Sequence, residues 1–210
     1  MIKTFRFNDP DEIVANSYVI GEKDKGCVII DLGRYDDRIR KYIKENHNSI
    51  VNGLLLTHGH FDHISGINDF LKEYSPTLFI KREEEKLLTD TRLNCSCTFS
   101  HEIVIDYSNK YLLDDEDEIN FGNGYIFKVI ETKGHTEGSV CYLLNKENAL
   151  FSGDTLFKNS IGRCDLPTGS IKDMRISLEK LSKLDANLNV YPGHGEPTIL
   201  KKEVNTLKSI

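Results

Sequence analysis

Four short apolar runs in this chain each lead into a glycine that adjoins a histidine or an aspartate. Leu54-Leu55-Leu56 leads into Thr57-His58-Gly59-His60, and Val129-Ile130 into Gly134-His135. Ala149-Leu150-Phe151 leads into Gly153-Asp154, and Val190-Tyr191 into Gly193-His194. Short apolar runs closed by turn residues read as buried strands. Glycine at their ends lets backbone approach closely where a Cβ would block it. Polar residues gathered just past strand ends are how α/β folds build their sites.

The rest of the pattern agrees with α/β. Cys27–Leu32, Gly53–Leu56, Thr77–Ile80, Tyr125–Ile130, Val140–Leu144, Ala149–Phe151 and Asn189–Tyr191 are expected as strands. Asp36–Asn46 puts Ile39, Tyr42 and Ile43 on one helical face, and Ile64–Tyr74 does so with Ile64, Ile67, Phe70 and Leu71. Ser170 is an N-cap, with Asp173 three residues on, for a helix through Met174, Leu178, Leu181 and Leu184. No linker, low-complexity stretch or short repeat interrupts the chain.

Its 210 residues suit one well-buried domain. The net charge of -6 gives no reason to expect a nucleic-acid partner. No apolar run is long enough to span a bilayer, so no membrane association is expected. The N-terminal stretch has no apolar signal-peptide core. The five scattered cysteines suit free thiols in a cytoplasm. Cys27 and Cys141 lie in apolar runs and are expected buried. Cys95-Ser96-Cys97 near His101 is a small redox or metal element only at an unusual spacing. The acidic run Asp114–Glu118 reads as a solvated turn, and His47, among polar neighbours, as a solvated histidine.

The densest cluster is His58-Gly59-His60-Phe61-Asp62-His63. On an extended segment His58 and His60 project to the same side. Asp62 and His63 begin the next helix and aim at a neighbouring point. Two nitrogens at one point, and a carboxylate with a nitrogen at another, are what two adjacent metal ions require. His135 and His194 would complete one ion each, with Asp154 bridging. Nitrogen and oxygen donors suit zinc, iron and manganese alike, softness not choosing between them; one or two divalent ions are expected, zinc before iron or manganese.

The order His-x-His-x-Asp-His, then Gly-His, Gly-Asp and Gly-His, resembles the metallo-β-lactamase superfamily. The resemblance runs from Asn16-Ser17-Tyr18 through Asp31-Leu32-Gly33 to Pro192-Gly193-His194-Gly195. It implies a four-layer αβ/βα sandwich with the metals at one edge of two sheets. It also implies a single domain over 1–210, with similar halves of roughly 1–112 and 113–210. By that resemblance His58, His60 and His135 hold one ion, and Asp62, His63 and His194 the other.

Thr136-Glu137-Gly138-Ser139 and Ser152-Gly153-Asp154-Thr155-Leu156-Phe157 resemble the short glyoxalase II-like hydrolases. The sequence ends soon after His194, and a C-terminal glutathione-binding helical domain is not expected. Lys133 stands where that family usually has proline. Gly162-Arg163-Cys164-Asp165 resembles an element shared with persulfide dioxygenases. There Arg163 either pairs with Asp165 to order a loop or contacts substrate.

The expected reaction is cleavage of a small thioester or related ester. A divalent ion lowers the pKa of water to about 7, which supplies hydroxide at neutral pH. Asp62 and Asp154 would orient that hydroxide. A thiolate leaves with little acid help, since thiols have pKa about 8.5. The alternative is a mononuclear iron persulfide dioxygenase. Lactone or phosphodiester hydrolysis, or a non-catalytic metal-binding module, stands behind both.

Overall fold

The structure, a computed structural model, describes residues 1–7, 11–122, 124–203 and 205–208. It is a mixed α/β chain with two main sheets, each of six strands. It divides into two compact units, Met1–Ile80 with Glu85–Leu112, and Lys81–Glu84 with Leu113–Ile210.

The elements of the first sheet and its helices are β1 (Ile2–Phe5), β2 (Ser17–Gly21), β3 (Cys27–Ile30), α1 (Asp37–His47), β4 (Val51–Leu55), α2 (Phe61–Ile64), α3 (Ile67–Phe70), β5 (Thr77–Lys81), α4 (Ser96–Phe99) and β6 (Lys110–Leu113). The strands lie in the order β1-β2-β3-β4-β5-β6. β3, β4 and β5 run parallel, with Ile30 beside Leu55 and Leu55 beside Phe79. Parallel neighbours need crossovers. α1 fills the first and α2–α3 the second, and the loop after β4 carries the His-rich segment.

Helix α1 starts where its sequence predicts. The Asp36 carboxylate accepts from Arg38 N at 3.0 Å and Ile39 N at 3.2 Å. A cap of this kind stabilises a helix by about 1 kcal/mol. Ile39 and Ile43 are fully buried. His47, expected in solvent, is instead only 2% exposed. The last turn of α1 folds over the β2–β3 turn, where His47 Nδ1 lies 3.2 Å from the Glu22 carbonyl oxygen. Burial there holds its pKa below the ordinary histidine value.

The predicted helix Ile64–Tyr74 is broken into α2 and α3. The intervening Gly66 has no room for a side chain, since a Cβ there would meet the backbone of Leu32, Arg34 and Tyr35. Its apolar face survives the break, with Ile64, Ile67 and Phe70 fully buried.

The second unit contains β7 (Glu118–Asn120), β8 (Ile126–Glu131), β9 (Val140–Leu144), β10 (Ala149–Gly153), β11 (Leu156–Phe157), β12 (Ser160–Ile161), α5 (Ile171–Leu181), β13 (Asn189–Pro192) and β14 (Thr198–Ile199). Its sheet runs β14-β13-β10-β9-β8-β7, with β11 and β12 as a separate hairpin. β10 and β13 are parallel and α5 is their crossover. Ser170 Oγ accepts from Asp173 N at 3.2 Å, the expected cap. The helix ends at Leu181, short of Leu184. Met174, Leu178 and Leu181 pack on Ile130, Leu150 and Val190. Each such buried side chain contributes about 1.5–3 kcal/mol.

The acidic run is the expected turn before β7, with Asp114, Glu116 and Glu118 exposed. Asp115 accepts from Glu131 N at 2.7 Å and pairs with Lys180 at 3.1 Å. All five cysteines are free thiols. Cys27 and Cys141 are buried, and burial pushes them up to about 12 and about 11. Cys95 is buried and Cys97 exposed. Among the described residues, neither falls in a group that could hold a metal ion. No helix among these residues is long and apolar enough to cross a membrane.

Candidate functional site

In the first unit the site is organised around Asp31, which the strand-end pattern had not singled out as a site residue. It follows β3 directly, in the left-handed region at φ 53°. Its buried carboxylate accepts from Thr57 N, Thr57 Oγ1 and His63 Nδ1, each at 2.8 Å. One side chain thereby joins the ends of β3 and β4 to α2. A carboxylate can only accept, so His63 carries its proton on Nδ1 and keeps a lone pair on Nε2. That nitrogen is 3.9 Å from Asp62 Oδ2.

Thr57 Oγ1, having donated to Asp31, lies 3.2 Å from His58 Nδ1 and can accept from it. This leaves His58 Nε2 facing His60 Nδ1 at 3.1 Å. Two imidazole nitrogens this close need a proton or a cation between them. Around α2 the backbone is tied on every side. Asp62 O accepts from Ala15 N at 3.0 Å, His63 O from Leu32 N at 2.8 Å, and Asn94 O from Phe61 N at 2.9 Å. A Cβ on Gly33 would strike the Asp62 carbonyl.

In the second unit His135, Asp154 and His194 follow β8, β10 and β13. His135 Nε2 and His194 Nε2 each lie 3.6 Å from Asp154 Oδ2. Gly193 N donates to the Gly153 carbonyl at 2.8 Å, which locks the two strand ends together. His135 and Asp154 are largely buried, whereas His194 is 32% exposed.

The Gly-Arg element contributes a backbone carbonyl to the site. His135 Nδ1 donates to the Arg163 carbonyl oxygen at 2.8 Å, which directs Nε2 toward Asp154. A Cβ on Gly162 would run into the Asp154 carbonyl and press on His135 Nδ1. The Arg163 guanidinium pairs with Asp165 through two contacts of 2.7 Å, both side chains exposed. Arg163 holds the Asp165 carboxyl down at about 2.

The donors suit a divalent ion. Atoms 2.0–2.1 Å from a tetrahedral ion stand about 3.4 Å apart. The separations within each unit, 3.1 to 3.9 Å, bracket that value. His63 and His135 each have the opposite ring nitrogen anchored by an acceptor, as metal-bound histidines do.

A family model described as the metallo-β-lactamase superfamily matches residues 10–194. The chain is 33% identical to a probable metallo-hydrolase, YqgX, of Bacillus subtilis, over 89% of this chain and 87% of that protein. It is 28% identical to the hydroxyacylglutathione hydrolase GloC of Haemophilus influenzae, over 90% and 89% respectively. The crystal structure of the B3 metallo-β-lactamase BLEG-1 superposes with a TM-score of 0.88 at 33% identity, covering 98% of this chain and 97% of that one. That of TTHA1623 in a di-iron-bound form does so at 0.78 and 27%, covering 95% and 96%. The fold, the family match and these relatives make the chain a member of the metallo-β-lactamase superfamily.

Proposed function

We propose that this protein is a metal-dependent hydrolase of the glyoxalase II-like type, cleaving a thioester or related ester. The observation that carries the reading is the pair of anchored imidazoles, His63 on Asp31 and His135 on the Arg163 carbonyl. Each has its Nε2 beside an aspartate oxygen. In this reading His58, His60 and His135 would hold one ion. Asp62, His63 and His194 would hold the other, and Asp154 would serve both. The di-iron relative and the donor set keep zinc, iron and manganese as candidates.

A bound ion supplies polarisation of the carbonyl and a nucleophilic water at neutral pH. The chain's own residues then orient it. Asp62 and Asp154 would hold the direction of the attacking oxygen. A thiolate leaving group needs no general acid. The hydroxyacylglutathione hydrolase relative supports the thioester as substrate class. Five free thiols suit a reducing cytoplasm as its place of action.

A second reading, hydrolysis of a β-lactam amide, is favoured by the likeness to the B3 enzyme BLEG-1. The test loads the full chain with zinc, iron or manganese and assays S-lactoylglutathione, a chromogenic cephalosporin and oxygen uptake with glutathione persulfide. Thioester turnover that a chelator abolishes is expected. Turnover of the cephalosporin alone would establish the second reading. Oxygen uptake that survives His194→Ala would establish an iron persulfide dioxygenase, and full turnover after metal removal would overturn all three.

A further inference from the structure

Lys81, the last residue of β5, and Glu84, both grouped with the second unit, are buried charges, only 3% and 0% exposed. Such groups are costly to bury unless paired, and both are paired with the two ends of one loop. Lys81 Nζ reaches Glu131 Oε2 at 3.2 Å, at the end of β8, while also holding Glu83 at 2.6 Å. Glu84 Oε1 accepts from Gly138 N at 2.9 Å, just before β9. Between Glu131 and Gly138 lies the turn that presents His135.

That turn is closed on itself. Thr132 N donates to Ser139 O at 2.8 Å and Gly134 N to Thr136 O at 3.0 Å. The Thr136 and Ser139 hydroxyls meet at 2.6 Å. From α5, Ser177 Oγ donates to the Lys133 carbonyl at 2.6 Å. Glycine is required at 138, because a Cβ would crowd the side chains of Glu83 and Glu84.

We propose that Lys81 and Glu84 are positioning residues that clamp the His135 loop at its entry and exit, and so set where His135 Nε2 points. This rests on the reading of His135 as a metal ligand, but its structural half is testable without metal. Satisfied buried polar contacts specify one geometry where apolar packing would tolerate several.

Amide hydrogen exchange of the metal-free full chain gives the first readout. Glu84→Ala should speed exchange at Thr132, Gly134, Thr136 and Gly138 by about tenfold or more, and leave β9 and α5 unchanged. Glu84→Gln keeps an acceptor for Gly138 N and should restore the loop to near the wild-type rate. Lys81→Met retains the side-chain stem and carries the test if Glu84→Ala does not fold.

Zinc titration gives the second readout. Affinity at one of two ions should fall about 10–100-fold in Glu84→Ala, the other ion being unaffected, with recovery in Glu84→Gln. Loop exchange that is unchanged, that rises equally throughout the unit, or that Glu84→Gln fails to restore would overturn the proposal. Absence of zinc binding by the wild type would count against the proposed function alone, and the exchange result would still decide the clamp.

Discussion

Replacing Asp31 by asparagine keeps the shape of the first unit's anchor and changes only what it can donate and accept. The left-handed backbone at φ 53° is one that asparagine tolerates, so the variant should fold. Thr57 N must still find an acceptor, so the amide oxygen takes the Oδ1 place. The NH2 group then faces Thr57 Oγ1 and His63 Nδ1, both 2.8 Å from the present Oδ2. A hydroxyl can rotate to accept. An imidazole can do so only by moving its proton to Nε2, the atom proposed to bind an ion. Loss of such an anchor costs about 10–100-fold in metal affinity, or about 1.4–2.7 kcal/mol. Three charge-assisted hydrogen bonds also become neutral ones, at about 1 kcal/mol each. Competition against a chelator reads the affinity, and the 15N shifts of His63 in metal-free protein read the tautomer. Unchanged zinc affinity with His63 still protonated on Nδ1 would refute the reasoning.

The Gly-Arg element makes a contrasting pair. Gly162→Ala should lower metal content by crowding Asp154 and His135, whereas Arg163→Ala, which keeps the carbonyl, should leave it unchanged by elemental analysis. For His47 burial lowers the folded pKa, so as pH falls below about 6.5 the unfolded chain takes up the proton first. Its contribution to stability is complete above that pH and is lost as pH falls toward the lowered folded value. The loss proceeds at up to about 1.4 kcal/mol per pH unit. Urea denaturation from pH 7.5 to 5 should therefore show a shallower pH dependence in His47→Gln, and equal slopes would refute it. Among the thiols, exposed Cys97 should react with an aromatic disulfide at pH 8 well before Cys27 and Cys141, held at about 12 and about 11. Early labelling of either buried thiol, mapped by mass spectrometry, would contradict their burial.

Periodicity, caps and apolar runs located α1, α5 and the strands β3, β4, β5, β8, β9, β10 and β13, whose signals lie within their own residues, but not the buried strand β2. The edge strand β1 and the two-residue β14 carry too little pattern and exist by pairing with β2 and β13. The break at Gly66 was hidden because Gly66 N donates to Leu32 O, an acceptor distant in sequence, and not to a helix carbonyl. His47 misled for the same reason, since polar neighbours in the chain say nothing about the β2–β3 turn folded beneath them. At the site, the strand-end residues were legible because histidine, aspartate and glycine recur there. Asp31 could have been found as the one acid interrupting the apolar run Cys27–Leu32. The Arg163 carbonyl could not, because every residue carries the same backbone carbonyl and sequence does not distinguish one from another.

The membership of Lys81–Glu84 in the second unit bears on how such a chain can be divided or recombined. A break after Leu112 looks natural in sequence, yet it would strand the groups that grip Glu131 and Gly138 on the wrong fragment. Two pieces cut there would each keep a complete sheet order, but the second would have lost its hold on His135. A chimera that borrows the latter half from a relative must therefore carry four residues from the donor's first half, or mismatch a buried charge with a foreign loop. Shuffled genes and split reporters built on this scaffold should be selected for that short tract before any visible surface of the protein.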